Sequence, residues 1–240
     1  MAISEKDLSN QRKSALTAGI SLIIMTLVSF FSYGFVHGNL VVQGDASVTF
    51  NNIVSSNNLF KGEILGWIII MITDILVAWA FYVYLEPINQ KLSLFGAWLR
   101  LTYSAILGIS ILNLIFVLLL TGNTSDFSSL KKIEQTQAFM MLFLDAFQLI
   151  WSMGLVIFGG HLLIVGCVAL KSDVIPKVIS ILLLLASIGY MVIHLCKIFL
   201  PQYEAIITIL NYVFTIPMIV GELGFGIWLL LRGGKLPKSV

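Results

Sequence analysis

The sequence predicts an all-α fold, a polytopic bundle of about six transmembrane helices with both termini cytoplasmic, in a single domain over residues 1–240. Three observations carry this. The chain is 58% hydrophobic and only 11% charged, whereas soluble domains average about 45–50% apolar and about 25% charged. Its mean hydropathy is +0.99. Six apolar runs each reach the roughly 20 helical residues that a hydrocarbon core of about 30 Å requires.

The first run is Ala15–Val36. Lys6, Arg12 and Lys13 precede it, as in a secretory leader, but the run is too long for one and bulky Tyr33-Gly34-Phe35-Val36-His37 follows where a cleavage site needs small residues. It reads as a retained helix. The others are Gly62–Leu85, Leu94–Leu120, Ala138–Leu170, Val174–Leu200 and Ala205–Leu231. Only helices suit continuous Leu- and Ile-rich runs in lipid, where each segment must satisfy its own backbone. The fourth run is long enough to tilt or to extend beyond the bilayer.

Two connections are long. Residues 37–61, with Gln43-Gly44-Asp45 and Asn51-Asn52, read as loop with room for one short interfacial helix. Residues 121–137 also read as loop, and Asn123-Thr124-Ser125 there matches a glycosylation acceptor, a pattern too common to carry weight. Pro176 suits a helix start. Pro217 falls inside the sixth run, removes one backbone hydrogen bond and predicts a kink.

With the N-terminus inside, ten lysines and arginines fall on the inner side and four (Lys61, Lys131, Lys132 and Lys197) on the outer. That asymmetry favours cytoplasmic termini. The formal net charge of +2 offers no electrostatic footprint for nucleic acid. Cys167 and Cys196 read as small buried apolar side chains, and no metal or cofactor motif is present. Trp67, Trp79, Trp98 and Tyr82 read as interfacial anchors or lipid-facing surface.

Chemistry has to sit on polar groups within the runs, because a charge deep in a bilayer costs about 2.5–3.5 kcal/mol on insertion scales. Counting along the helices places Asp74, Arg100, His161 and Glu222 in one layer, with Arg100 pairing with Glu222 or with Asp74. Asp145 and His194 fall in an outer layer, where Gln148 shares a face with Asp145. His37 reads as solvated at the mouth of the first helix. For Asp74, Glu222 and the buried histidines the competing role is packing between helices; for Arg100 it is snorkelling to the inner headgroups. Glycines 154, 159, 160, 221, 224 and 226 read as points of close helix contact.

Gln11-Arg12-Lys13-Ser14-Ala15, Tyr84-Leu85-Glu86-Pro87 with Leu94-Phe95-Gly96-Ala97-Trp98-Leu99-Arg100, and Pro217 with Gly221-Glu222-Leu223, Ile227-Trp228-Leu229 and Gly233-Gly234 resemble a bacterial membrane family, domain of unknown function 4386. The resemblance implies a six- or seven-helix bacterial inner-membrane protein and brings no activity. The family often carries an acid three residues after the arginine. Tyr103 stands there in this chain, which leaves Glu222 or Asp74 as the partner.

The leading functional expectation is a non-enzymatic lipid- or ligand-binding sensor or partner subunit. The alternative is a small-solute or proton-coupled transporter, which would use the buried acids and Pro217. An intramembrane enzyme ranks last, since Asp145 and His194 lack a third ligand. Membrane lipids are the expected partners, together with a second copy or another membrane protein, and no cofactor is expected.

Overall fold

The computed structural model describes residues 5–122 and 130–234. Its elements are α1 (Glu5–Ser29), a π-helical continuation (Phe30–His37), α2 (Gly38–Leu40), α3 (Ala46–Ser55), α4 (Asn57–Gly122), α5 (Leu130–Leu170), α6 (Lys177–Phe199) and α7 (Glu204–Leu231). No strand occurs among the described residues. A short helix, α3, lies within residues 37–61, where there was room for one, and residues 57–61, expected as loop, belong to α4.

Five of these helical stretches are long and apolar enough to cross a membrane. One of them, α4, has 66 residues, about 100 Å at 1.5 Å per residue, far more than one crossing of about 30 Å needs. It breaks at Asn89, whose φ of −159° and ψ of 95° are extended. The Asn89 side-chain oxygen accepts a hydrogen bond from the Leu92 amide at 3.1 Å, so Asn89 ends one arm and caps the next. Each arm matches one predicted run, and the chain thus offers six crossings. α7 runs continuously from Glu204 to Leu231 through Pro217. α5 starts at Leu130, so residues 130–137 are helical and not loop as expected. The Asn123-Thr124-Ser125 pattern, Lys131's side chain, Lys235 and Lys238 lie outside the described residues.

The chain forms two compact units. Unit 1 takes the described parts of Met1–Met25, Ile72–Ser104 and Ser152–Val240; unit 2 takes Thr26–Met71 and Ala105–Trp151.

In unit 1, the end of α7 is clamped by α1. The Arg12 guanidinium donates to the carbonyls of Leu229 (3.0 Å), Leu230 (2.7 Å) and Gly233 (2.7 Å), supplying a cation and donors where a helix C-terminus presents unpaired carbonyls. Gly234 has φ of +66°, and a Cβ there would lie 2.7 Å from the Arg12 backbone, so glycine is needed twice over. Lys177 caps α5 in the same manner, donating to Leu170 O at 2.6 Å and Ser172 O at 2.8 Å. Pro176 occupies the N-cap position of α6, in line with its expected role at a helix start.

Small residues set how closely the helices approach. A Cβ at Gly159 would meet Ser187 O at 3.0 Å, one at Gly221 the Leu182 carbonyl at 3.1 Å, and one at Gly226 Leu22 Cβ at 3.1 Å. Gly160 and Gly224 make only ordinary contacts. Much of α7 before Gly221 is exposed and apolar, with Ile209, Tyr212, Val213 and Ile216 at 60% or more, as a lipid-facing helix requires.

In unit 2, Asp45 caps α3 by accepting from the Val48 amide at 2.9 Å, and Thr49 exchanges two hydrogen bonds with Val42. A Cβ at Gly66 would fall 1.9 Å from Ser32 Oγ, which is the closest approach in this unit. Ser110 Oγ donates to Phe147 O at 2.7 Å, so a hydroxyl within the bilayer finds a carbonyl.

Candidate functional site

Unit 1 brings together the four residues expected in the inner layer. Arg100, from the second arm of α4, is fully buried. Its Nε donates to Asp74 Oδ1 at 2.8 Å, and its Nη2 lies 2.8 Å from the same oxygen. Nη2 also donates to Glu222 Oε1 at 3.1 Å and points at Met25 Sδ, 3.8 Å away. Of the two partners that sequence reasoning left open, Arg100 therefore takes both.

His161 completes the ring of contacts, and its protonation follows from them. Its Nδ1 lies 2.8 Å from Gly96 O, which can only accept. Its Nε2 lies 3.1 Å from Arg100 Nη1, which can only donate. His161 is therefore the neutral Nδ1–H tautomer, donating on one side and accepting on the other. Gly96 and Arg100 are four residues apart, so one helical turn presents a carbonyl and a guanidinium on the same face and grips the imidazole at both ends. The lack of a side chain at Gly96 lets α5 come this close, since a Cβ would lie 3.2 Å from Ile164 Cγ2.

Aromatic rings cover the guanidinium. Arg100 Cζ lies 5.7 Å from the Phe81 ring centroid and 5.1 Å from that of Phe158, within cation–π range. Phe81 also stacks on His161 at an interplanar angle of 11°. Sequence reasoning missed these rings and Met25. The signal for them was spacing: Phe81 lies seven residues after Asp74, and Phe158 three before His161, each on its polar partner's helix face.

The two acids differ in surroundings. Asp74 is fully buried and its Oδ2 has no hydrogen-bond partner. The Glu222 side chain is 20% exposed, and the close approach of Gly221 to Leu182 fixes the turn that carries it. With two carboxylates against one guanidinium and a neutral imidazole, the centre has one more acidic than basic group.

The remaining expected residues sit elsewhere. His194 is buried in unit 1, with Nδ1 3.2 Å from Ser152 Oγ and its ring stacked on Tyr190. Asp145 is in unit 2 and is exposed. Cys167 and Cys196 are free thiols and only half buried. Trp79 and Trp98 are exposed as expected, but Trp67 is 1% exposed. His37 is not solvated: it is 8% exposed, with Nδ1 2.8 Å from Glu63 Oε1. Glu63, fully buried, was overlooked because counting from Gly62 put it at the end of a helix. Asn57 begins that helix instead. Among the described residues, no group of three or more His, Cys, Asp or Glu side chains is placed to hold a metal ion.

The chain is similar to an uncharacterised protein of Archaeoglobus fulgidus, 28% identical over 180 residues, which is 74% of this chain and 88% of that protein. No solved structure matches. The family described as Domain of unknown function (DUF4386) matches residues 17–233. A match of that extent, over α1 to α7, makes this chain a member of the DUF4386 family, one with a membrane-spanning helical architecture.

Proposed function

We propose that this is a non-enzymatic protein of the cytoplasmic membrane that binds a small cation at the carboxylates of Asp74 and Glu222, serving as a sensor or as a subunit of a membrane assembly. One observation carries the reading: Arg100 is shared between two carboxylates while a buried oxygen of Asp74 lacks a partner. A buried carboxylate is costly unless paired and fully hydrogen-bonded, so the surplus acid calls for a positive charge. An anion is disfavoured, because the guanidinium already faces Asp74, Glu222 and His161 and is covered by two rings. The partly exposed Glu222 is the side from which a ligand would enter. Both termini face the cytoplasm in this proposal, on the strength of the lysine and arginine asymmetry. Membrane lipid, with a second copy or another membrane protein, covers the exposed apolar rows of α7.

The test is native mass spectrometry of the protein released from its own membrane, beside Glu222→Gln. A defined extra mass on the wild type that is absent from the variant supports the reading and names the ligand. A bare wild-type chain, or adducts equal in both proteins, contradicts it.

A second reading, proton-coupled transport of a small solute, is favoured by the same surplus acid, which a proton also balances. Proteoliposomes containing a pH-sensitive dye test it: solute-driven acidification that Glu222→Gln abolishes supports transport, and no acidification with any solute class opposes it.

A further inference from the structure

Unit 2 holds a second buried polar group, built on different residues and independent of the reading above. The π-helical segment that ends α1 carries Tyr33 and His37, whose rings stack at 5.3 Å. Single-turn π segments often occur at functional sites. Here the wider turn delivers both side chains to one place. His37 Nδ1 lies 2.8 Å from Glu63 Oε1 and its Nε2 lies 3.0 Å from Gln148 Nε2. The Trp67 indole also reaches Glu63 Oε1, at 3.4 Å, and Gln148 lies beside the Tyr33 hydroxyl. Glu63 Oε2 is buried and has no partner.

Charge balance turns this arrangement into a site. Only Glu63 and His37 are buried among the charged or histidine side chains described in unit 2; Asp45, Lys61, Lys132, Glu134 and Asp145 are all exposed. α3 and the part of α4 after Ala105 contain no charged residue. Among the described residues of unit 2, Tyr33 and Glu63 are therefore the titratable groups that face His37, and α5 presents the uncharged Gln148. If Glu63 is ionised and His37 neutral, a lone negative charge is buried among Tyr33, Trp67, Phe147 and Trp151, whose rings pack against one another and against His37. One added proton removes that charge.

We propose that His37 and Glu63 form a proton-binding site whose state is read by the amide of Gln148. In the proton-free form His37 donates through Nδ1 to Glu63, and its bare Nε2 accepts from the Gln148 amide nitrogen. Proton uptake places N–H on Nε2, which then needs an acceptor. Gln148 meets that need by turning its amide through half a rotation to present Oε1. The Tyr33 hydroxyl can donate or accept, so it accommodates either orientation of Gln148. Only the one proton is taken up, and no heavy-atom bond forms or breaks.

The test is nitrogen NMR of the full-length protein in lipid bilayers, with labelled histidine and glutamine side chains and with His37→Gln used to identify the His37 signals. The expected result between pH 9 and pH 4 is that His37 passes from one ring N–H to two while the Gln148 amide signals move in step. In Glu63→Gln the paired change is absent over that range, because the added charge would then be unbalanced. The proposal is overturned if wild-type His37 keeps one N–H throughout, if Gln148 stays still while His37 changes, or if Glu63→Gln changes as the wild type does. Should Glu63→Gln fail to fold, the wild-type titration decides alone, since both changes must appear together.

Discussion

Arg100 and Asp74 lie 26 residues apart on two arms of one broken helix, and they meet at 2.8 Å with both side chains fully buried. The break at Asn89 makes the meeting possible. An unbroken helix would set the two residues about 39 Å apart along its axis, whereas the extended Asn89 lets the second arm depart in a new direction.

Breaking this pair should be costly. Arg100→Gln leaves Asp74 as a buried unpaired charge and should lower stability by about 3–5 kcal/mol. Asp74→Asn made together with it should recover part of that loss. In reversible unfolding from mixed micelles, we expect the Arg100–Asp74 coupling to exceed the Arg100–Glu222 coupling, since Glu222 is 3.1 Å away and partly exposed. Both couplings should exceed about 0.5 kcal/mol. Strictly additive losses in both cycles would rule out the shared guanidinium.

The tautomer of His161 gives a spectroscopic expectation. Its ring should show a single N–H, on Nδ1, in the nitrogen spectrum, because Gly96 O fixes the donor side and Arg100 the acceptor side. In Arg100→Gln the proton should stay on Nδ1, because the Gly96 carbonyl still requires a donor there. An Nε2–H tautomer in the wild type would contradict the geometry.

The clamp at the end of α7 predicts a glycine-specific effect. Gly234→Ala combines a left-handed backbone with a collision against the Arg12 backbone and should cost about 1–3 kcal/mol. Arg12→Met removes three hydrogen bonds to carbonyls and should cost about 2–4 kcal/mol. Gly122→Ala, with nothing within 4 Å of its Cβ position, should lie within about 0.5 kcal/mol of wild type. Thermal melts of the three variants check the order.

Gly66 makes a parallel case in unit 2. Gly66→Ala would drive its methyl group into Ser32 Oγ and should destabilise by about 1–3 kcal/mol. Ser32→Ala, which removes that oxygen, should restore much of the loss when combined with it. If the double variant melts no higher than Gly66→Ala, another contact limits the site.

The crossings could be read from the sequence because lipid demands long uninterrupted apolar runs, and such runs are visible without any knowledge of packing. Asp74, Arg100, His161 and Glu222 could be read for the same reason: charge inside an apolar run is expensive, so each stands out. Helix ends were less legible, and the errors propagate from there. Residues 130–137 are polar enough to resemble loop, yet they extend α5. Starting α4 at Gly62 rather than Asn57 set Glu63 at an assumed interface, and ending the first helix at Val36 did the same for His37. His37 is carried by the π-helical turn, which apolar periodicity does not report. The break between Asp74 and Arg100 was legible as the gap between the second and third runs, but not its residue: Pro87 is the visible breaker, whereas the dihedral change falls two residues later, at Asn89.

The most direct measurement of the central claim is the melting temperature of the purified protein against increasing sodium, potassium or an organic ammonium salt at constant ionic strength, for wild type and Glu222→Gln. A ligand that binds only the folded state stabilises it by about 2.7 kcal/mol at a hundred times its dissociation constant. The account predicts a saturable rise with at least one of these cations in the wild type and no rise in Glu222→Gln. No saturable rise with any of them, or an equal rise in both proteins, would contradict a cation site at Asp74 and Glu222.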